Sequence, residues 1–578
     1  RRAAAADAVV TDLVAAATRL ADARDALARG ACARIAPAGA VPTQILLASD
    51  ARSVLVRPLT ALRAGRRYAL VAYGFAAPEV ERLRESLVPR PQGDGLLIPE
   101  GAFAEPAAEA FAGDAGGISA ARTTELVRRL TRDAAAMPGL GPFSGVRVTL
   151  PEPLRAEQLG ELRFAFVPAD AAPAGSALAV YRTLDPRDGL LAYRARLAGL
   201  DCPATAAEAR DVKQELGARL PHVARLLHGT YRSLDLGDAA GGAARALGVP
   251  AGEARAVERP YLLALPRDVG PQTPLVLAVD GHAGRASRIL GKHAAALAER
   301  GIAVLAVELP HHGERRAAGR EFLDALDPAD LGRNIRQAAV DVLAAVQAVA
   351  RCGLRTDGGE TLRFARPRYL GYSLGGMVGA LARSVEPLLG TTVLVAPGGD
   401  ILGWLMWRIA PELGATYVTC LGGPAEGQSC VPTGRCTAPA VCITDPYLER
   451  LQLVIALPYE IAAAAGDPLS YATHRTGGAS DSRLLLVTAG DDVALHPLLA
   501  TRLADAYGMR PVAARRRRGP RSQMVQWPQL GHDLIDRPAV RAQVYEFLAS
   551  DGRRLLVAED AAPAEPPGWY KVYGPSRR

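Results

Sequence analysis

The chain has 578 residues, 49% of them hydrophobic, with 68 basic against 60 acidic side chains, a formal charge of +8 and seven cysteines. That length and apolar content suffice to bury two or three cores, so more than one domain is expected. The excess of base does not indicate nucleic-acid binding: the one dense run, Arg515–Arg518, has no interleaved aromatics and reads as a solvated loop, with docking on an anionic surface as the lesser alternative.

The first segment, Ala3–Arg29, places Val, Leu and Arg at helical intervals in an Ala-rich background, and residues 1–30 are read as a helix. Asp7, Asp12, Arg19, Asp22, Arg24 and Asp25 break any apolar stretch of the signal-peptide kind, so a leader is not visible in this chain. No window of about 18 apolar residues supports a membrane span.

Residues 31–200 are predicted to form a mixed, β-containing accessory domain. Short strands are expected at Gln44–Leu47, Ser53–Val56, Tyr68–Tyr73, Val146–Leu150, Glu161–Val167 and Leu178–Arg182, interrupted by helices at Pro78–Leu87 and Ala120–Ala136. The phrase Arg57–Tyr68, with its turn Ala64-Gly65-Arg66, resembles the turn before a late strand in Ig-like bacterial surface modules. Asp201–Ala218 reads as a helical connector, and residues 201–257 as that connector plus the first strands of the next domain.

From residue 258 the rhythm changes to strand, helix, strand, helix, strand, which signals parallel βαβ units. Pro274–Val279 is an apolar run ending in Asp280-Gly281-His282-Ala283-Gly284. Gly301–Glu308 ends in Leu309-Pro310-His311-His312-Gly313; the adjacent histidines lack a carboxylate at ligand spacing and are read as a turn, not a metal site. Arg333–Arg351 has helical spacing and leads to Phe364–Leu370 and then Gly371-Tyr372-Ser373-Leu374-Gly375. A strand that must turn sharply into a helix there needs glycine at both flanks, and the turn exposes the Ser373 hydroxyl. Such a serine needs a base and an orienting acid, in the order acid then histidine. Downstream, Asp491-Asp492 follows the strand Arg483–Thr488, and His532 follows Gln523–Trp527 and precedes a helix at Ala539–Leu548. Asp492 fits the acid better than Asp491.

On Gly371-Tyr372-Ser373-Leu374-Gly375-Gly376, Asp492 and His532, residues 258–556 resemble the α/β-hydrolase superfamily. The resemblance implies an α/β fold with a doubly wound, mostly parallel sheet. It implies a serine esterase or lipase in which Ser373 is the nucleophile, His532 the base and Asp492 the acid, with an oxyanion hole from the backbone N–H groups of Leu374 and His282 and no cofactor. Relatives usually carry His-Gly where this chain has Asp280-Gly281, which puts a carboxylate near the second donor unless Arg285 or Arg288 pairs with it. The segments Arg333–Asp341, His222-Val223-Ala224 and Gly229-Thr230-Tyr231 are similar to bacterial secreted lipases of the virulence-factor type, which carry an amino-terminal β module. The expected partner is an ester or lipid substrate, with peripheral lipid-interface contact and no nucleic acid. The alternatives are a peptidase of the prolyl-oligopeptidase kind, disfavoured because residues 1–250 show no repeat of about 40–50 residues, and a non-catalytic surface protein on a hydrolase scaffold.

Residues 400–480 form a long insertion holding Cys420, Cys430, Cys436 and Cys442. Their spacing lacks the paired Cys-x-x-Cys turns that grip zinc, so two disulfides are expected rather than a metal, which places the protein outside the cytoplasm: extracellular, periplasmic or on the cell surface. With Trp404, Met406 and Trp407 beside it, the insertion is a candidate lid over the nucleophile, or a helix pair that merely packs on the sheet. Residues 557–578 read as a Pro-rich tail.

Overall fold

The structure is a computed structural model, describing residues 40–41, 43–47, 52–58, 61–73, 75–93, 95–99, 120–153, 163–201, 205–208, 216, 220–237, 244–316, 321–323, 327–409, 418–421, 441–444, 457–472, 474, 483–509 and 522–556. The helix expected over 1–30, the tail 557–578, Cys430, Cys436 and the Arg515–Arg518 run lie outside these residues. The chain divides into two compact units: residues 186–401 with 465–569, and residues 1–185 with 402–464 and 570–578. The first division thus falls at Asp185–Pro186, short of the expected end of the accessory domain at residue 200, and much of the insertion groups with the amino-terminal residues.

Among the described residues, the larger unit is built on one mixed sheet of eleven strands. In chain order these are β1 Thr205–Glu208, β2 Arg225–Asp235, β3 Arg255–Leu265, β4 Leu275–Val279, β5 Ala303–Val307, β6 Leu354–Thr356, β7 Thr361–Leu362, β8 Arg368–Tyr372, β9 Thr392–Val395, β10 Leu484–Ala489 and β11 Ser522–Trp527. Their spatial order is β7-β6-β1-β2-β3-β5-β4-β8-β9-β10-β11. From β5 to β11 every neighbouring pair is parallel, whereas β3 runs antiparallel to both β2 and β5. Every residue of β4, β5, β9 and β10 is buried. This explains why they read as continuous apolar runs instead of alternating ones: a central parallel strand is covered on both faces.

Among the described residues, the helices on that sheet include α1 Ala286–Ala298, α2 Pro328–Gln347, α3 Leu374–Val385, α4 Pro497–Ala506 and α5 Pro538–Ala549. One sheet face, carrying Val276, Ala278, Val304, Ala306, Val393, Val395, Leu485 and Val487, shares a core with Ile289, Leu290 and Leu297 of α1 and with Val540, Val544 and Phe547 of α5. The alternate residues face the other way; there Gly379 lets α3 approach Tyr369 and Leu394 so closely that a Cβ would come within 2.3 Å of the tyrosine ring. Helix α2 is capped by Asp327, whose side chain accepts from the Asp330 N–H, and is buried at every position but Asp330. Its polar residues are structural pins. Arg336 donates to the carbonyls of Pro186, Leu247 and Ala465 and to the Tyr471 hydroxyl, while Asp341 accepts from Ser233, Gln337, Arg259 and Arg315.

One expectation fails here. The helical connector over Asp201–Ala218 is interrupted by strand β1, whose Thr205–Glu208 pairs antiparallel with Thr230–Leu227 of β2. The local sequence Thr-Ala-Ala-Glu favours a helix, but the free edge of β2 offers ladder partners that override local propensity.

In the smaller unit the expected short strands are all present, with ends shifted by one or two residues, as are the helices Ala77–Glu85 and Ala120–Ala135. Three of these strands belong to a five-stranded sheet and three to a sheet centred on Arg67–Tyr73, and an unexpected pair, Arg90–Gln92 with Gly95–Leu97, adds a two-stranded sheet among the described residues. The insertion is part of this architecture: Val441–Thr444 pairs in parallel with Thr43–Leu47, and Val418–Leu421 adds outside it. Within the second pair Cys420 stands opposite Cys442. Arg57 and Glu460 form an ion pair at 3.2 Å with side chains only 2% and 8% exposed. No helix among the described residues is long and apolar enough to cross a membrane.

Candidate active site

Parallel strands deliver their carboxyl ends to one edge of the sheet, and that edge is where open α/β sheets bind ligands. Strand β8 ends at Tyr372 and α3 begins at Leu374, so Ser373 alone makes the turn, at φ 53° and ψ −115°. A non-glycine residue in that region costs about 1–3 kcal/mol and persists only where its surroundings over-determine it. Here they do. The Ser373 N–H donates to the Val395 carbonyl at 2.8 Å, and its own carbonyl accepts from Met377 at 3.1 Å. A Cβ on Gly371 would sit 2.3 Å from the Gly375 carbonyl oxygen, and one on Gly375 would sit 2.2 Å from that of Val279. Both flanking glycines are therefore required by backbone contact.

The Ser373 hydroxyl lies 2.9 Å from Nε2 of His532, and His532 Nδ1 lies 2.8 Å from Oδ2 of Asp492. The other oxygen of Asp492, Oδ1, accepts from the backbone N–H groups of Ala494 and Leu495, each at 2.8 Å. These bonds fix the orientation of the carboxylate toward His532. The Nδ1–H then donates to Asp492, which leaves the Nε2 lone pair facing the serine. Asp492 is buried, whereas Asp491 is exposed and meets none of these groups. Gly490 permits the approach of the two loops: a Cβ there would lie 2.2 Å from the Pro528 carbonyl oxygen.

The opposing turn, Asp280–Gly284, follows β4. A Cβ on Gly281 would come within 2.9 Å of the Ser373 Cβ and 3.4 Å of its Oγ, so this turn lies directly against the serine. Leu374 opens α3, where a helix leaves its first N–H groups without intrahelical partners. The carboxylate of Asp280 does not stand unpaired: Arg288 donates to its two oxygens at 2.6 and 3.0 Å, and the Gly281 N–H adds a bond at 2.8 Å. Of the two arginines the sequence offered, the structure uses Arg288, one helical turn into α1. The bonds to Asp280 raise the Arg288 guanidinium above its ordinary value against the opposing pull of burial.

Three further residues shape this edge without having been singled out for it in the sequence. Tyr372 packs its ring 5.4 Å from that of His532 and donates its hydroxyl to Asp533 at 2.9 Å; burial first, then that bond, pushes its phenol well up. His312, from the loop after β5, accepts the Ala283 N–H on Nε2 at 3.0 Å. Glu308 accepts the Ala286 N–H at 2.9 Å. An aromatic before the serine and a histidine at a strand end are visible in sequence, but the bonds they make cross between elements and leave no local pattern. Among the described residues no group of three His, Cys, Asp or Glu side chains is placed to hold a metal ion. Cys352 is disulfide-bonded, to a partner outside the described side chains.

No protein-family model and no curated protein matches the chain. Among solved structures, it is similar to an acetyl xylan esterase from Paenibacillus sp. R4, at 14% identity over 62% of this chain and 93% of that one, with a TM-score of 0.39. A second acetyl xylan esterase, from Thermoanaerobacterium sp., matches at 12% identity over 62% and 92%, with a TM-score of 0.37. Dipeptidyl peptidase 4 of Porphyromonas gingivalis matches at 15% identity over 51% of this chain and 34% of its own, with a TM-score of 0.31. Likeness at this level carries no argument about activity, and the chemistry must be read from the residues themselves.

Proposed function

We propose that this chain is a serine hydrolase of the α/β-hydrolase kind that cleaves carboxylic esters through an acyl-enzyme. The observation that carries the reading is the continuous Ser373–His532–Asp492 hydrogen-bond chain, at 2.9 and 2.8 Å, with the serine on a strained turn at a helix start. Ser373 Oγ attacks the ester carbonyl as His532 Nε2 takes its proton, and Asp492 stabilises the imidazolium that forms. The N–H groups of Leu374 and His282 receive the developing oxyanion. Collapse of the tetrahedral species breaks the C–O bond, and His532 returns the proton to the leaving alcohol. Water then attacks the acyl-enzyme by the same route and releases the acid and free Ser373. No step in this sequence uses a cofactor. Pairing of Asp280 with Arg288 supports the reading, because it removes the bare negative charge that would oppose an oxyanion beside Gly281.

The disulfide at Cys352 favours an oxidising compartment, and we place the protein outside the cytoplasm. Labelling with a fluorophosphonate tests the class: wild type should label and Ser373→Ala should not, and labelling that persists without Ser373 sinks the proposal. Esters of graded acyl length compared with a dipeptide amide then separate an esterase from a peptidase. Amide turnover exceeding ester turnover would reject the ester reading.

A further inference from the structure

Of three consecutive N–H groups in the turn after β4, two are held by side chains. Gly281 donates to Oδ1 of its neighbour Asp280 at 2.8 Å, and Ala283 donates to Nε2 of His312 at 3.0 Å. The N–H between them is that of His282, the candidate oxyanion donor, and no acceptor for it is found among the described residues. We propose that His312 is a positioning residue that orients the His282 N–H by holding the peptide on its carboxyl side; the inference rests on the serine-hydrolase reading above.

The histidine is itself fixed. Its Nδ1 lies 2.7 Å from the Pro310 carbonyl, which can only accept, so Nδ1 carries the proton and Nε2 presents a lone pair to Ala283. Its ring stands edge-on between those of His282, with centroids 5.8 Å apart, and Phe322, 5.5 Å apart. His312 is 6% exposed, and burial holds it below the ordinary histidine range, which favours the neutral form this arrangement needs.

The peptide it grips needs gripping. Ala283 has φ 55°, a left-handed conformation that a residue with a Cβ adopts only at a cost. Gly284 N–H closes the turn onto the Gly281 carbonyl at 3.0 Å, and the Ala286 N–H beyond it is taken by Glu308. Two side chains that follow β5, Glu308 and His312, thus brace residues 283–286, which leaves the turn little freedom to swing His282 away from Ser373. Fixed donors are what make an oxyanion hole effective, since they need no reorganisation as charge develops.

The test compares purified full-length wild type with His312→Phe, His312→Gln and Ser373→Ala, using p-nitrophenyl acetate, with active sites titrated by fluorophosphonate. Phe keeps the ring packing and removes the acceptor; Gln supplies an oxygen at about the reach of Nε2. His312→Phe should lower kcat about 10- to 100-fold per titrated site with KM within about 3-fold, and weaken a boronic acid inhibitor by a similar factor, as expected when a transition-state donor is misplaced. His312→Gln should recover kcat to within about 5-fold of wild type. If His312→Phe does not fold, His312→Leu provides the same loss of acceptor. Wild-type kcat in the acceptor-free variant, a change confined to KM, or a loss that Gln does not reduce would overturn the inference while leaving the hydrolase reading intact. Absence of Ser373-dependent turnover in wild type would overturn both.

Discussion

Removing Arg288 should convert Asp280 from a neutralised neighbour of the candidate oxyanion site into a repelling one. Asp280 is 4% exposed and takes two bonds from Arg288, but the arginine side chain is 40% exposed, so water replaces part of what is lost. For stability we expect about 2 kcal/mol from Arg288→Ala, the lower part of the range for charged hydrogen bonds after allowing for that exposure. For catalysis, Asp280 is two residues from His282, the candidate donor, so its charge stands on the order of 8 Å from the reacting oxygen, taking ~3.8 Å per Cα step. At an effective dielectric of about 20 this gives ~2 kcal/mol of repulsion, or roughly 30-fold in rate. The assay is a double-mutant cycle of Asp280→Asn, Arg288→Ala and the pair, read by thermal unfolding and by kcat/KM on a short-chain ester. The double variant should be faster than Arg288→Ala alone, because it carries no unpaired charge. Arg288→Ala turnover within about 3-fold of wild type, or a double variant no faster than the single, would refute the electrostatic reasoning.

Further expectations rest on two glycine contacts, a buried histidine and the cysteine positions. Gly281→Ala places a Cβ 2.9 Å from the Ser373 Cβ and should cost about 100-fold in kcat with little change in melting temperature; Gly375→Ala, 2.2 Å from a backbone oxygen, should instead destabilise by about 3 kcal/mol, seen as a lowered unfolding midpoint. His293 is buried with Nδ1 2.8 Å from the Tyr545 hydroxyl, and burial pushes it down to about 3 from 6.5. The unfolded chain therefore binds a proton that the folded one refuses, and stability present above pH 6.5 should fall as pH drops toward 3, by up to ~1.4 kcal/mol per pH unit; urea unfolding across that range should show a flatter slope for His293→Gln, and an unchanged slope would exclude His293 as the source. In a non-reducing peptide map, the opposed Cys420 and Cys442 should be linked. The same map should recover Cys352 in a linked peptide, and its recovery as a free thiol would reject that bond.

Much of the larger unit is legible in the sequence because its signals are local. A continuous apolar run marks each buried parallel strand, and the glycines on both sides of Ser373 mark the sharp turn, although Gly375 is also required by the Val279 carbonyl of the neighbouring strand. Asp492 is separable from Asp491 by its loop position, and the structure shows why: only Asp492 is buried with two backbone donors. What escapes the sequence is pairing at a distance. Thr205–Glu208 is a strand because β2 has a free edge, and nothing within those four residues says so. The bond from His312 to Ala283 joins loops 29 residues apart, and a histidine after a strand looks the same whether it braces a turn or faces water. The insertion is the largest case. Its position and apolar neighbours point to a lid or a helix pair packed on the sheet, and nothing in them reveals that the strand Val441–Thr444 pairs with Thr43–Leu47.

That last pairing sets an order of events on the ribosome. Between Leu47 and Val441 lie nearly four hundred residues, roughly 20–80 seconds of synthesis at ~5–20 residues per second. The amino-terminal strand waits through that interval for the partner that will flank it, while the strands from Thr205 to Val395 emerge in between. A truncated chain ending at residue 185 lacks Val441–Thr444 and leaves that edge of Thr43–Leu47 as an open template for other strands. Aggregation during expression of such fragments would report an interrupted topology, not a weak core, and supplying residues 402–464 by linkage should relieve it.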